Sequence, residues 1–186
     1  MASRTLTASV IVASLLGLAV ATGPAHAAAK EPVSGKRCAV IVGKAPKNGV
    51  SPVVGTACSR KSSADALAKA TAEVKEAHPG LTPRLSTQTH LLRLYEHANY
   101  EYSTGFNYWD AYGLYGPCDG DGYYLRLGTT LPFEWGNVLS SVKGFNQCNY
   151  ATFTDKGGTK NLNTWLPVPN LGAWNDNVGV IRTMHR

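Results

Sequence analysis

The chain has 186 residues, 44% of them hydrophobic and only 16% charged, which suits one domain, or one small domain plus an appendage, and excludes a disordered or halophilic chain. The net charge of +6 is uneven: residues 28–90 hold ten Lys/Arg against four Asp/Glu, whereas residues 91–186 hold seven against eight. The basic charges are scattered rather than blocked, which favours a solvated appendage over adhesion to an anionic polymer such as a cell wall or nucleic acid.

The first 27 residues read as a secretory leader. Arg4 supplies the basic start, an apolar run from about Ala8 to Val20 follows, and Ala25-His26-Ala27 is a small-x-small cleavage pattern. The run is too short to span a bilayer and is followed by Gly23-Pro24, so no membrane anchor is expected. The product is expected to be exported, extracellular and monomeric.

Export changes how the cysteines are read. Cys38, Cys58, Cys118 and Cys148 form an even set in an oxidising compartment, which predicts two disulfides. Loop closure favours Cys38–Cys58 and Cys118–Cys148 among the three connectivities. Structural zinc would want close Cys-x-x-Cys pairs, and the sequence has none.

In chain order, Cys38-Ala-Val-Ile-Val42 predicts a short buried strand, and Ser51-Pro-Val-Val54 a second that leads to Cys58 and completes a hairpin. Ser62 to His78 predicts the one convincing helix, capped by Ser62 or Ser63, with Asp65 near its start and Leu67, Ala70, Val74 and Ala77 on one face. His78-Pro79-Gly80 ends it. That face is thin, so the helix must lean on something larger. Leu81 to Thr89 reads as a linker, which makes 28–90 a hairpin-plus-helix segment. From Leu91 onward every Tyr and every Trp appears, in short runs separated by Gly, Asn, Asp and Pro. Leu91–Tyr95, Tyr123–Leu127, Ser140–Phe145 and Val178–Thr183 are the clearest strands, and the pattern predicts an all-β sandwich or barrel over 91–186.

Two stretches in this half match each other: Trp135-Gly-Asn-Val-Leu-Ser-Ser141 and Trp174-Asn-Asp-Asn-Val-Gly-Val180. Each follows a turn-rich run and leads into a strand. Tyr95 and Tyr100 upstream of the first, and Phe153 upstream of the second, mark opening hairpins, so each half reads as a four-stranded Greek key. The pair resembles the β/γ-crystallin domain, whose keys carry aromatic-x4-aromatic-x-Gly early and Asn/Asp-Asn/Asp-x-x-Ser/Thr-Ser late. The Cys118…Cys148 arrangement also resembles that of secreted bacterial members of β/γ-crystallin type classed as peptidase inhibitors. The departures are Tyr102 at the expected Gly, Gly158 at the expected second aromatic, and a Tyr95-to-Trp135 interval about 19 residues longer than Phe153-to-Trp174. Gly105 to Gly122, which contains Cys118, is the expected insertion.

The resemblance implies calcium bound by the late motifs, with each site shared between keys. Calcium takes six to eight oxygens, drawn from Asn, Asp, Ser and backbone carbonyls. Asn175 and Asp176 would join Ser140 in one intact site. Gly136-Asn137 would join Gly179 in a degraded one, so Asn137, Ser140, Asn175 and Asp176 are the metal candidates. Ser141 reads as a corner residue that bonds backbone. Asp119-Gly-Asp121-Gly also begins like an EF-hand loop, but the twelfth position is Thr130 rather than Glu, so a tight turn is expected.

No catalytic site is expected. The histidines lack metal spacing, the cysteines are claimed by disulfides, Gly-x-Ser-x-Gly is missing, and nothing pairs Asp110, Glu134 or Asp155 as acid and base. The aromatic stretch of Phe106, Tyr108, Trp109, Tyr112 and Tyr115 is the candidate binding surface. Together these readings predict a non-catalytic, calcium-binding surface module whose partner is a protease or a cell-surface polymer, with no nucleic acid expected. The alternatives implied by the resemblance are a peptidase inhibitor and an antimicrobial killer-toxin-like protein.

Overall fold

Strand β1 (Arg37–Val42) is buried throughout from Cys38 onward, because both of its faces are covered. Cys38, Val40 and Val42 enter one apolar cluster, while Ala39 and Ile41 enter another on the opposite side. This strand belongs to a computed structural model that describes residues 35–47, 49–80, 89–102, 107–131 and 133–186. The expected leader at 1–27, most of the expected linker, and Phe106 lie outside the described residues. Among the described residues no helix is long and apolar enough to cross a membrane.

β2 (Val53–Ser59) returns antiparallel to β1 with Cys38 opposite Cys58, and the two are joined as a disulfide with Cα atoms 4.0 Å apart. α1 (Ser63–Ala77) follows. The Ser62 hydroxyl accepts the Asp65 N–H at 3.0 Å, satisfying one of the free donors of the first turn. Its buried stripe is Ala66, Ala70 and Val74, so the helix is turned slightly from the expected face and Ala77 is exposed. Small residues let it sit close on the hairpin: a Cβ on Gly55 would lie 2.5 Å from the Ala70 carbonyl oxygen.

The strands that follow build two sheets. β3 (His90–Tyr95), β4 (Tyr108–Gly113) and β6 (Ser141–Gly144) complete a five-stranded sheet in the order β2-β1-β4-β3-β6. β5 (Tyr123–Arg126), β7 (Tyr150–Asp155), β8 (Asn161–Trp165) and β9 (Val178–Met184) form a four-stranded sheet in the order β5-β9-β7-β8. The molecule is therefore predominantly β, in agreement with the all-β expectation.

β1 pairs in parallel with β4, setting Cys38 beside Trp109. The hairpin expected as part of a separate 28–90 segment is thus an extension of the sheet built by residues beyond 91. The expected insertion at 105–122 also reads differently, since its residues 108–113 are the central strand β4. All six residues of β4 are buried, because one face meets the inter-sheet core and the other meets α1 and a buried polar cluster.

The main core lies between the sheets. Leu92 and Leu94 from β3, Tyr123 and Leu125 from β5, Phe153 from β7 and Ile181 from β9 are fully buried there. Each contributes roughly 1.5–3 kcal/mol by leaving water. The sheets also exchange edges. β5 lies in sequence between strands of the first sheet yet pairs with β9. Conversely Val168, between β8 and β9, bridges Val142 of β6 through two backbone hydrogen bonds of 2.8 and 3.0 Å. The Cys118–Cys148 disulfide ties the entry to β5 to the exit from β6.

Candidate functional site

Trp135 and Trp174 each lie in a single turn of 3₁₀ helix, Phe133–Asn137 and Gly172–Trp174, just before a closing strand. The Trp135 carbonyl accepts the Leu139 N–H at 3.2 Å, and the Trp174 carbonyl accepts the Asn177 N–H at 3.2 Å. Trp135 is buried edge-on against Trp109, and Trp174 packs on the same core. Both copies thus place the tryptophan in a short 3₁₀ helix ahead of a strand, closed by an i+4 bond in the first copy and an i+3 bond in the second.

The copies also touch. The Asp176 N–H donates to the Leu139 carbonyl at 3.3 Å, and the Leu171 N–H donates to the Ser140 carbonyl at 2.9 Å. A Cβ on Gly136 would stand 3.0 Å from the Val178 carbonyl oxygen. The four predicted metal candidates therefore sit on two adjacent corners.

Their partners divide them. The Lys156 ammonium donates to the Asn137 side-chain oxygen and, at 2.5 Å, to the Asp176 carbonyl. The Lys156 N–H bonds the Asn177 carbonyl at 3.2 Å. Both glycines that depart from the motif flank this lysine. A Cβ on Gly136 would lie 3.3 Å from Lys156 Cε, and one on Gly179 would lie 3.0 Å from Lys156 Cα. Asn137 is consequently not a free metal ligand, because an ammonium already occupies its oxygen. The loop holding Lys156 is fixed by Asp155, whose carboxylate accepts the N–H groups of Thr159 and Lys160 at 2.7 and 2.9 Å. Those bonds hold the Asp155 pKa below the usual carboxylate range.

On the other corner the Asn175 side-chain oxygen is buried and has no hydrogen-bond partner. A buried acceptor left unmet is costly, so it marks a place where a donor or a cation fits. Asp176 is exposed and holds a left-handed backbone, φ 61°, which Asp tolerates better than most residues. Ser140 is buried, and its hydroxyl makes one long contact, 3.5 Å to the Val138 carbonyl. The Asn175 side-chain oxygen is thus unclaimed and the Ser140 hydroxyl is held by one long contact, whereas the Asn137 oxygen is bonded to Lys156. Ser141 is the expected corner residue: its hydroxyl donates to the His97 carbonyl at 2.6 Å and accepts the Tyr100 N–H at 3.1 Å. Among the described residues no group of three or more His, Cys, Asp or Glu is arranged to hold a metal.

A second polar cluster lies on the outer side of the five-stranded sheet, beside α1. Asp110 of β4 is fully buried and accepts Arg93 Nε at 2.6 Å and a terminal Arg93 nitrogen at 2.8 Å. His90 Nε2 lies 2.9 Å from the same carboxylate and 3.1 Å from the Leu92 carbonyl. Both neighbours are acceptors, so this nitrogen carries its proton. Burial pushes the Asp110 pKa up, but the hydrogen bonds from His90 and Arg93 outweigh it and hold the carboxyl below its usual range. His90 is stacked between Tyr112 and Phe145, and Arg93 lies 4.4 Å over the Tyr108 ring. Both carboxylate oxygens of Asp110 are bonded and the carboxylate is closed to solvent, which is the arrangement of a structural network.

The expected aromatic surface is corrected by burial. Tyr108, Trp109 and Tyr112 are core residues of β4, each at most 6% exposed, because that strand is central rather than part of a loop. Tyr115 alone among the described members is outward, 62% exposed. The Asp119 segment is the expected tight turn, with the Gly122 N–H on Asp119 Oδ1 at 2.8 Å and Lys44 paired to Asp119 at 2.6 Å. Comparison of the chain with protein-family models, curated proteins and solved structures returns no match.

Proposed function

We propose that this protein is an exported, non-catalytic module of β/γ-crystallin type that holds one calcium ion and acts through its surface. The edge exchange between the sheets supports the fold reading: β5 on β9 and Val168 on Val142 are pairings that two interlocked Greek keys would make. The β1–β2 hairpin and α1 are additions to that plan. The two disulfides and the buried Asp110 network support a structural role for residues that would otherwise be candidates for chemistry.

The observation that carries the calcium reading is the unpartnered, buried side-chain oxygen of Asn175. With Asp176 and Ser140 it would supply oxygen ligands of the kind calcium takes, completed by backbone and water. The second cation position of the pair is filled by Lys156, so the module needs one ion where two motif copies suggest two. Calcium would fasten the two corners and stiffen the module. Calorimetric titration tests this, and absence of binding at millimolar calcium would remove the reading.

A second reading, inhibition of a peptidase, is favoured by Tyr115. It is exposed at 62% and lies three residues before the disulfide-bonded Cys118, which restrains the segment that would be presented. Assays against metallo- and serine peptidases test it, with Tyr115→Ala expected to weaken any inhibition.

A further inference from the structure

The outer face of the four-stranded sheet carries a regular array of side chains. The register aligns three rows across β8, β7, β9 and β5. One row reads Asn163, Thr152, Arg182 and Tyr124, and the next Asn161, Thr154, Val180 and Arg126. The third begins Trp165, Tyr150, Met184. Asn161, Asn163, Trp165, Arg126 and Arg182 are all exposed.

The chemistry of these rows is one-sided. The Thr152 hydroxyl donates to Asn163 Oδ1 at 2.7 Å, and the Thr154 hydroxyl donates to Asn161 Oδ1 at 2.8 Å. Each amide oxygen therefore already accepts within the sheet, and the NH₂ is the donor that these exposed residues offer. The guanidinium groups of Arg126 and Arg182 add further donors, and the rows contain no Asp or Glu. At the edge, Trp165 is 59% exposed yet held edge-on by Tyr150, with ring centres 5.3 Å apart. Arg186 lies 4.1 Å over the Tyr150 ring and backs the pair. Such an aromatic plate is fixed before any ligand arrives, which lowers the entropic cost of stacking on it. At the other edge, Tyr124 and Arg182 open into a cleft of about 830 Å³ where, beside the Lys44–Asp119 ion pair, Lys47 and Arg182 face Asp121.

We propose that this face is a docking surface for an acidic polysaccharide. The sugar's ring face would lie on Trp165, and its carboxylate and hydroxyl oxygens would accept from the Asn and Arg rows. Nucleic acid fits less well. Its affinity comes from many phosphate contacts, and these rows offer two cations beside neutral amide donors. The proposal does not rest on the cation reading of the Trp-centred corners, because none of its residues belongs to them.

The test uses the full disulfide-bonded chain in EDTA, which removes calcium from both protein and glycan. Binding to polygalacturonate, neutral dextran and single-stranded DNA is compared by affinity electrophoresis. Binding to polygalacturonate alone is expected, weakened about tenfold or more by Trp165→Ala and by Arg182→Gln. Asn163→Asp is the sharpest variant, since it keeps the acceptor for Thr152, removes an outward donor and adds a repelling charge. Circular dichroism and melting of these exposed-site variants should match the parent. Equal retention by dextran, equal or tighter binding to DNA, no binding to polygalacturonate, or variants that bind like the parent would each overturn the proposal.

Discussion

The ammonium of Lys156 donates both to the side-chain oxygen of Asn137 and to the carbonyl of Asp176. One lysine thereby joins the first copy of the Trp-centred motif to the second. The two glycines that break the motif, Gly136 and Gly179, stand where a side chain would crowd this lysine. What looks in the sequence like loss of ligands is, in the fold, accommodation of a tethered cation.

Replacing Lys156 with Met keeps the stem and removes the charge. Two oxygens then lose their donor at an exposed site, which should cost about 1 kcal/mol and lower Tm by roughly 2–4 °C in EDTA. Millimolar calcium should restore more of the variant's stability than it adds to the parent. Differential scanning calorimetry of both proteins checks this, and an unchanged Tm would show that the lysine carries no load.

The Asp110 network makes a stronger demand. Arg93→Met would leave a buried carboxylate short of its bidentate partner and should destabilise the fold by about 3–5 kcal/mol in urea titrations. The folded Asp110 pKa is depressed, so its contribution to stability is present above the unfolded carboxylate pKa of about 3.9 and is lost as pH falls through the folded value. Asp110→Asn should flatten that acid limb. A parent and variant that lose stability in parallel below about pH 4 would contradict this assignment.

Gly55 tests whether α1 is an integral part of the sheet. Its Cβ position lies 2.5 Å from the Ala70 carbonyl oxygen and 2.6 Å from Val74 Cγ2, so Gly55→Val must push the helix outward. A loss of about 1–3 kcal/mol is expected by chemical denaturation. A neutral result would mean that the helix rides loosely on the hairpin.

Much of this architecture is legible in the sequence. The β-branched run of β1 and the Ser62 cap of α1 are local signals, and the Cys38–Cys58 pairing follows from a short loop. β4 was obscured because it is buried on both faces. Without polar alternation, Tyr108-Trp-Asp-Ala-Tyr112 reads as an aromatic insertion rather than a central strand. β8 was hidden for the opposite reason: Asn161-Leu-Asn-Thr-Trp165 presents polar residues to solvent and lacks a β-branched run. Of the proposed cation site, Asn175, Asp176 and Ser140 come from the sequence repeat. Lys156 does not, since it reaches its partners from 19 and 20 residues away and has no motif of its own. The His90, Arg93 and Asp110 cluster was likewise invisible, because β3–β4 pairing assembles it.

We propose that one corner takes a calcium ion, while Lys156 already occupies the other. Isothermal titration of EDTA-cleared protein with calcium addresses it most directly, comparing the parent with Asp176→Asn, a change that the left-handed backbone there tolerates. The account predicts one ion per chain, with affinity in the range of about 10⁻⁴–10⁻³ M, and loss of most of that affinity in the variant. Two equivalent ions in the parent, or no binding at millimolar calcium, would contradict it.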